Sequence, residues 1–421
     1  MHSVTNAIPT GTIASIPAKA HAHRALICAA LANSPSTILL SRTSKDIDAT
    51  MDSLRGLGAH VVYENKVVTI TPGPVPTKGN VVPHESGTTL RLLLPVAASI
   101  CNDVDVDAKG RLPDRPLEPM LSEMKAHGVT FSQDKPPFTM TGRLQGGNFS
   151  MVGDVSSQFF SGLLSAPQIG LSTITATTPL QSSDYVTLTT ETMRDFGVEV
   201  EHTLPDTNIN EAFTVPFGAS FIGRDNYQIE GDWSNAAIWM VAAGMTGKPI
   251  TITGMNKNSV QADRRIMQVM IDAGCDVVWD GMNITVTGRA SKTIHADLEQ
   301  MPDMLPVMAA LACSISGESS FIKGARLRLK ESDRLVAVAN LVRDLGGTVR
   351  EEGDDLYIIG NGILKGGQGD CVNDHRLVMA GTLMALISEN PVTLKDSEAI
   401  TKSYPDFFED WNLLGGDAHG I

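Results

Sequence analysis

The sequence predicts an α/β protein of two similar domains, each of three repeated α/β units, and three observations carry that expectation. An amphipathic helix closed by a glycine recurs roughly every 70 residues, usually with β-forming residues after it. Each repeat also holds a second helix that is apolar on almost every side, the pattern of a helix buried all round. After most of these buried helices the chain turns and enters a short run of strand formers.

The amphipathic segments read DATMDSLRGLGAHVV at 48–62, LEPMLSEMKAHGVTF at 117–131, VTLTTETMRDFGVEV at 186–200, RRIMQVMIDAGCDVV at 264–278, LVAVANLVRDLGGTV at 335–349 and, more weakly, FFEDWNLLGG at 407–416. Apolar residues at i, i+3, i+4 and i+7 lead to Gly58, Gly128, Gly197, Gly274, Gly346 and Gly415, and glycine suits the left-handed position that stops a helix. The buried helices are AHRALICAALA at 22–32, GTTLRLLLPVAASI at 87–100, SSQFFSGLLSAPQI at 156–169, WSNAAIWMVAAGM at 233–245, MLPVMAALACSIS at 304–316 and DHRLVMAGTLMALIS at 374–388. Their strands are STILL, DVDVD, TITAT, PITIT, SSFIK and PVTLK. Units of this size are too long for a solenoid and group three and three. We expect one domain over 18–227 and the other over 228–421, with 1–17, including a strand near Thr12 to Ile16, crossing back to the second.

A net charge of −14 argues against a nucleic-acid partner but leaves room for a small anionic substrate where a few Arg and Lys converge. Five dispersed cysteines without CxxC spacing point to free thiols in a reducing cytoplasm. No signal-peptide pattern opens the chain, and no apolar run is long enough to span a membrane. The phosphate-loop, dinucleotide, zinc-protease and serine-hydrolase motifs are absent. His21 and His23, two apart on a helix, point to different sides, so we expect no metal pair.

Polar chemistry gathers where the buried helices begin. Lys19 and Arg24 flank the first; Glu85, Ser86, Thr88, Thr89 and Arg91 open the second; Ser156, Ser157 and Gln158 the third. Asp232, Ser234 and Asn235 open the fourth, Asp303 the fifth, and Asp374, His375 and Arg376 the sixth. Helix N-termini offer unpaired N–H groups and partial positive charge, so several aimed together make an anion site. Capping alone accounts for Ser234 and Asp232. It does not account for Arg24, Arg91 and Arg376, which oppose the helix dipole unless an anion or carboxylate meets them. In RLRLKESDR at 326–334, charges alternate with Leu327 and Leu329; we read a strand with one buried side, presenting Arg326, Arg328 and Lys330 together.

Ten segments resemble signatures of the 5-enolpyruvylshikimate-3-phosphate synthase family, in the family's order and over about 13–413: PAKAHAHRALICAALA at 17–32, ESGTTLRLL at 85–93, RPLEPM at 115–120, GDVSSQFFSGLL at 153–164, SSDYVTLT at 182–189, EGDWSNAA at 230–237, MPDMLPVMAALA at 301–312, RLKESDRL at 328–335, NDHRLVMA at 373–380 and TKSYPDFF at 401–408. The resemblance implies an inside-out barrel of the enolpyruvyl transferase type, its buried helices packed inside sheets, and a cleft between domains that closes on ligand. It implies carboxyvinyl transfer from phosphoenolpyruvate to the 5-hydroxyl of shikimate 3-phosphate, through a tetrahedral intermediate, by a cytoplasmic monomer without cofactor. By that resemblance shikimate 3-phosphate is held by Lys19, Ala20, Arg24, Ser156, Ser157, Gln158, Ser182, Tyr185, Asp303 and Lys330, mostly from the first domain. Phosphoenolpyruvate is held by Lys19, Gly87, Arg115, Gln158, Arg334, Arg376 and Lys402. Arg91 and His375 are further pocket candidates. Asp303, Glu331 and Lys19 are the catalytic candidates, with Glu331 as acid at carbon and Asp303 as base at the hydroxyl. Gly87 is expected to let the backbone approach a ligand closely.

Two positions depart from the family. Ala20 stands where it usually has Ser, which removes a hydroxyl from the sugar-phosphate site; Arg326 replaces other residues and receives no ligand role. The alternatives are a UDP-N-acetylglucosamine enolpyruvyl transferase, whose usual loop cysteine is missing from GRLPDRPLEP at 110–119, and a catalytically weakened homologue that binds the shikimate phosphate.

Overall fold

A computed structural model describes residues 1–166, 169–206 and 210–421. The chain divides into two compact units, Pro17–Ile229 and Met1–Ile16 with Glu230–Ile421, each around its own apolar core.

Among the described residues six four-stranded sheets form, three in each unit, all with one plan: a parallel pair, then two strands added antiparallel. In one of them Tyr227–Gln228 runs parallel to Ser36–Leu39, which pairs antiparallel with Val67–Thr71 and this with His60–Glu64. Gly11–Ala14 is the parallel partner of Ile250–Thr253. The last sheet takes strands from both chain ends: His2–Val4 lies between Val392–Lys395 and Ala418–Gly420 and pairs antiparallel with both. No sheet closes into a barrel among the described residues.

The buried helices span Lys19–Ala30, Gly87–Ile100, Ser157–Leu164, Trp233–Thr246, Leu305–Ser314 and His375–Ala385. Each is apolar all round because it packs inside its unit, and the sheets take the solvent side. The helix expected over 156–169 ends at Leu164; 167 and 168 lie outside the described residues. The amphipathic helices span Lys45–Gly56, Met120–Ala126, Asp184–Asp195, Ile266–Asp272, Arg334–Asp344 and Phe407–Leu413. All six marker glycines have φ between 88° and 103°, the left-handed region that halts a helix at little cost only for glycine.

One expectation fails. Residues Ala325–Leu329 form a 3₁₀ helix, not a strand. Lys323, with φ of 61°, turns the chain away after the strand Gly317–Ile322, and Asp333 then caps the helix Arg334–Asp344. Leu327 is fully buried but Leu329 is exposed, so the alternation yields no common face. Arg328 turns to Asp354 and Asp333, while Lys330 turns to Asp303.

Candidate active site

In the unit Pro17–Ile229, the polar residues sit at the starts of the buried helices. A pocket lined by Leu31, Leu57, Val96 and Phe221 lies among their far ends and is apolar. Lys19 opens the first helix and its Nζ donates to Asp46 Oδ2 at 2.6 Å. Arg24 is buried one turn further on. Its Nε donates to Thr189 Oγ1 at 2.7 Å, Nη1 to the Ala20 carbonyl at 2.7 Å, and Nη2 to Ser161 Oγ at 3.2 Å and the Tyr185 carbonyl at 2.9 Å. Burial pushes the guanidinium down to about 10. These contacts fix Arg24 in the helix layer and bring Tyr185 to it through backbone.

Arg91 Nη1 donates to Gln158 Oε1 at 3.0 Å, and Gln158 Nε2 donates to Thr88 Oγ1 at 2.9 Å. Thr88 and Arg91, both in the first turns of the helix Gly87–Ile100, thereby orient the Gln158 amide from its two ends. A Cβ at Gly87 would stand 2.5 Å from Arg115 Nη1, so the missing side chain makes room for that guanidinium. Ser156 caps its helix by accepting from the Gln158 N–H, Ser157 beside it is buried, and buried Ser182 has a φ of 54°.

In the unit Met1–Ile16 with Glu230–Ile421, Arg334 is the centre of a cluster. Its side chain is 1% exposed. Nη1 donates to Asp303 Oδ1 at 2.6 Å, Nη2 to Glu331 Oε2 at 2.5 Å, and Nε and Nη2 grip Asp374 Oδ2 and Oδ1 at 2.8 and 3.2 Å. Burial lowers such a group, but the three carboxylates outweigh it and hold Arg334 firmly protonated. Lys330 Nζ lies 3.1 Å from Asp303 Oδ1, and Arg376 Nη2 is 3.4 Å from Oδ2. Burial pushes the Asp303 carboxyl up, yet Lys330, Arg376 and Arg334 more than offset this and hold it well below the usual carboxylate range. Burial pushes the Lys330 ammonium down to about 8, against the pull of Asp303. Lys402 Nζ donates to the Asn373 carbonyl at 2.8 Å, and His375 is buried beside Asp374.

The structure thus gathers Asp303, Lys330, Glu331, Arg334 and Arg376 into one cluster, Arg91 with Gln158, and Gly87 with Arg115. Arg376 has the carboxylate partner that its position at a helix start demands, and Arg24 is met by hydroxyls and carbonyls. Sequence reasoning missed Asp46 and Asp263 as members of these groups, and placed Asp374 at its helix start without a role. Asp263 is buried, accepts from the Ser234 hydroxyl, and is pushed up by burial and by the charge of Asp303. Each precedes or opens a helix, where a lone Asp reads as a cap; only the neighbouring Arg376 gave Asp374 a signal. Buried cations can hold anionic substrates, and the acids beside them can take up and give protons.

A family model described as EPSP synthase (3-phosphoshikimate 1-carboxyvinyltransferase) matches residues 7–411. A 3-phosphoshikimate 1-carboxyvinyltransferase of Clostridium kluyveri is 36% identical, with 97% of this chain and 95% of that protein covered. One of Methanocorpusculum labreanum is 35% identical, with 97% of each covered. The EPSP synthase structure from Acinetobacter baumannii superposes with a TM-score of 0.81 at 23% identity over 99% of both chains, a likeness of fold.

Proposed function

The chain belongs to the EPSP synthase family and is an enzyme of carboxyvinyl transfer to 3-phosphoshikimate, and from that premise we propose how its own residues divide the work. Lys19, Ala20, Arg24, Ser156, Ser157, Gln158, Ser182, Tyr185, Asp303 and Lys330 bind shikimate 3-phosphate. Lys19, Gly87, Arg115, Gln158, Arg334, Arg376 and Lys402 bind phosphoenolpyruvate. Glu331, which must first take up a proton, gives it to the methylene carbon as the 5-oxygen bonds to the carbon bearing phosphate, and Asp303 takes the proton from that hydroxyl. In the second half the methyl carbon returns a proton to Glu331, the carbon–oxygen bond to phosphate breaks, and phosphate leaves with the proton that Asp303 had taken. The cations stabilise the charge that develops.

The observation that carries this reading is the shared guanidinium: Asp303 and Glu331 stand on the two terminal nitrogens of Arg334, 2.6 and 2.5 Å away. Asp303 is ionised and able to accept a proton. Its low basicity without ligand comes from Lys330, Arg376 and Arg334. Anionic substrates that engage Lys330 and Arg376 weaken that pull and raise the basicity of Asp303 when it is needed. Five buried free thiols suit the cytoplasm, and we infer a monomer there.

Glu331→Gln tests the assignment. It should lower turnover about 100-fold or more, the scale of a lost general acid, with shikimate 3-phosphate binding little changed. Near-parental turnover removes Glu331 from the mechanism.

A further inference from the structure

Asp374 is fully buried, and the transfer described above gives its carboxylate no task. Four donors meet it. Ser332 Oγ donates to Oδ2 at 3.0 Å and Arg334 Nε to the same oxygen at 2.8 Å; Arg334 Nη2 donates to Oδ1 at 3.2 Å and the Arg376 N–H to Oδ1 at 3.0 Å. Two of these come from one guanidinium, a forked pairing that fixes the orientation of the planar group as well as its place. Its terminal nitrogens then point to Asp303 Oδ1 and Glu331 Oε2. Capping the helix His375–Ala385 needs only one acceptor for the Arg376 N–H, which Asn or Ser supplies equally well. The fork on Arg334 is surplus to that need.

We propose that Asp374 is a positioning residue for the transfer reaction: it clamps Arg334 from behind and so sets where Asp303 and Glu331 stand. The proposal rests on the reading of those two carboxylates as the proton-handling groups. Without the fork the guanidinium keeps only its bonds to Asp303 and Glu331 and can shift together with them, so both carboxylates lose their fixed reference. Misplacement of a reacting group acts on turnover, while the sugar-phosphate contacts of Lys19, Arg24 and Ser156 are untouched.

The test is steady-state kinetics of Asp374→Asn with phosphoenolpyruvate and shikimate 3-phosphate. Asn keeps the volume and the helix cap but turns one acceptor into a donor facing the guanidinium. The expected result is a kcat lowered about 10- to 100-fold, with KM for shikimate 3-phosphate within about threefold of the parent. Because Asp374 acts through Arg334, adding Asp374→Asn to Arg334→Lys should cost less than about a further twofold in kcat. Full multiplication of the two effects, or a folded Asp374→Asn enzyme within about twofold of parental kcat, overturns the proposal. Asp303→Asn is the reference. If it keeps parental kcat, the reading of the carboxylates falls and the clamp with it; if it is impaired while Asp374→Asn is not, the clamp alone falls. Should Asp374→Asn fail to fold, Ser332→Ala decides, since it removes one hydroxyl from Oδ2 and leaves the cap in place. A kcat lowered about three- to tenfold supports the clamp, and an unchanged kcat overturns it.

Discussion

Replacing Arg334 by Gln should destabilise the unit that holds it by about 3–5 kcal/mol at pH 7, the cost of stripping one partner from a buried ion pair. The guanidinium bonds to three carboxylates, but the cost is not three times larger. Asp303 and Glu331 keep 21% and 23% of their side-chain surface and can recover water, and Asp303 retains Lys330 and Arg376. Asp374 has no exposed surface and bears the loss almost alone. With a melting entropy of about 2.1 cal/mol/K per residue over roughly 200 residues, the change corresponds to about 7–12 °C in Tm. Calorimetry at pH 7 measures it. Arg334→Lys, which keeps the charge and loses the fork, should fall between parent and Gln. The loss should depend on pH in one direction. The Asp303 carboxyl is held below its ordinary value, so its contribution is full above about 4, the unfolded value, and is lost as pH falls through the folded one. The gap between parent and variant therefore narrows below about pH 4. A loss under about 1 kcal/mol, or a gap constant from pH 7 to about 3, would refute the cluster as drawn.

Ala20→Ser should tighten shikimate 3-phosphate roughly tenfold or more, since one charge-assisted hydrogen bond is worth about 1.5–3 kcal/mol; unchanged affinity in titration calorimetry means another group already fills the place. The Lys330 ammonium, pushed down to about 8, is lost as pH rises through that value. The kcat/KM for shikimate 3-phosphate should therefore fall above pH 8, and Lys330→Arg should move that limb upward; an alkaline limb that stays in place excludes Lys330 as its source. All five cysteines are buried, and burial pushes the Cys28 thiol up and that of Cys313 up to about 12. Each Cys→Ser variant should keep kcat within about twofold of the parent, because no thiolate serves as nucleophile. Mass spectrometry showing phosphoenolpyruvate attached to any cysteine contradicts this.

The repeat was legible because each unit writes it locally: apolar spacing, a glycine whose φ only glycine adopts at little cost, then a strand. The sixth unit was faint for a physical reason. One of its four strands, His2–Val4, comes from the other end of the chain, where it pairs with both Val392–Lys395 and Ala418–Gly420. The run at 326–334 misled because alternating Leu and Arg fits a strand equally well, and only the turn at Lys323 and the cap at Asp333 decide otherwise. At the site, Arg376 announced itself by standing against the helix dipole. The guanidinium shared by Asp303, Glu331 and Asp374 was not legible, since it joins residues 40 and 31 positions from Arg334 in sequence. The closeness of Arg115 to Gly87 was not legible either, since the two lie 28 positions apart in sequence.

The most direct measurement mixes the purified protein with phosphoenolpyruvate and shikimate 3-phosphate and follows phosphate release together with the mass of the organic product. One phosphate should appear for each shikimate 3-phosphate consumed, and the product should carry a carboxyvinyl group on the former 5-hydroxyl. Release that requires UDP-N-acetylglucosamine instead, or no release with both substrates saturating, would contradict carboxyvinyl transfer to 3-phosphoshikimate.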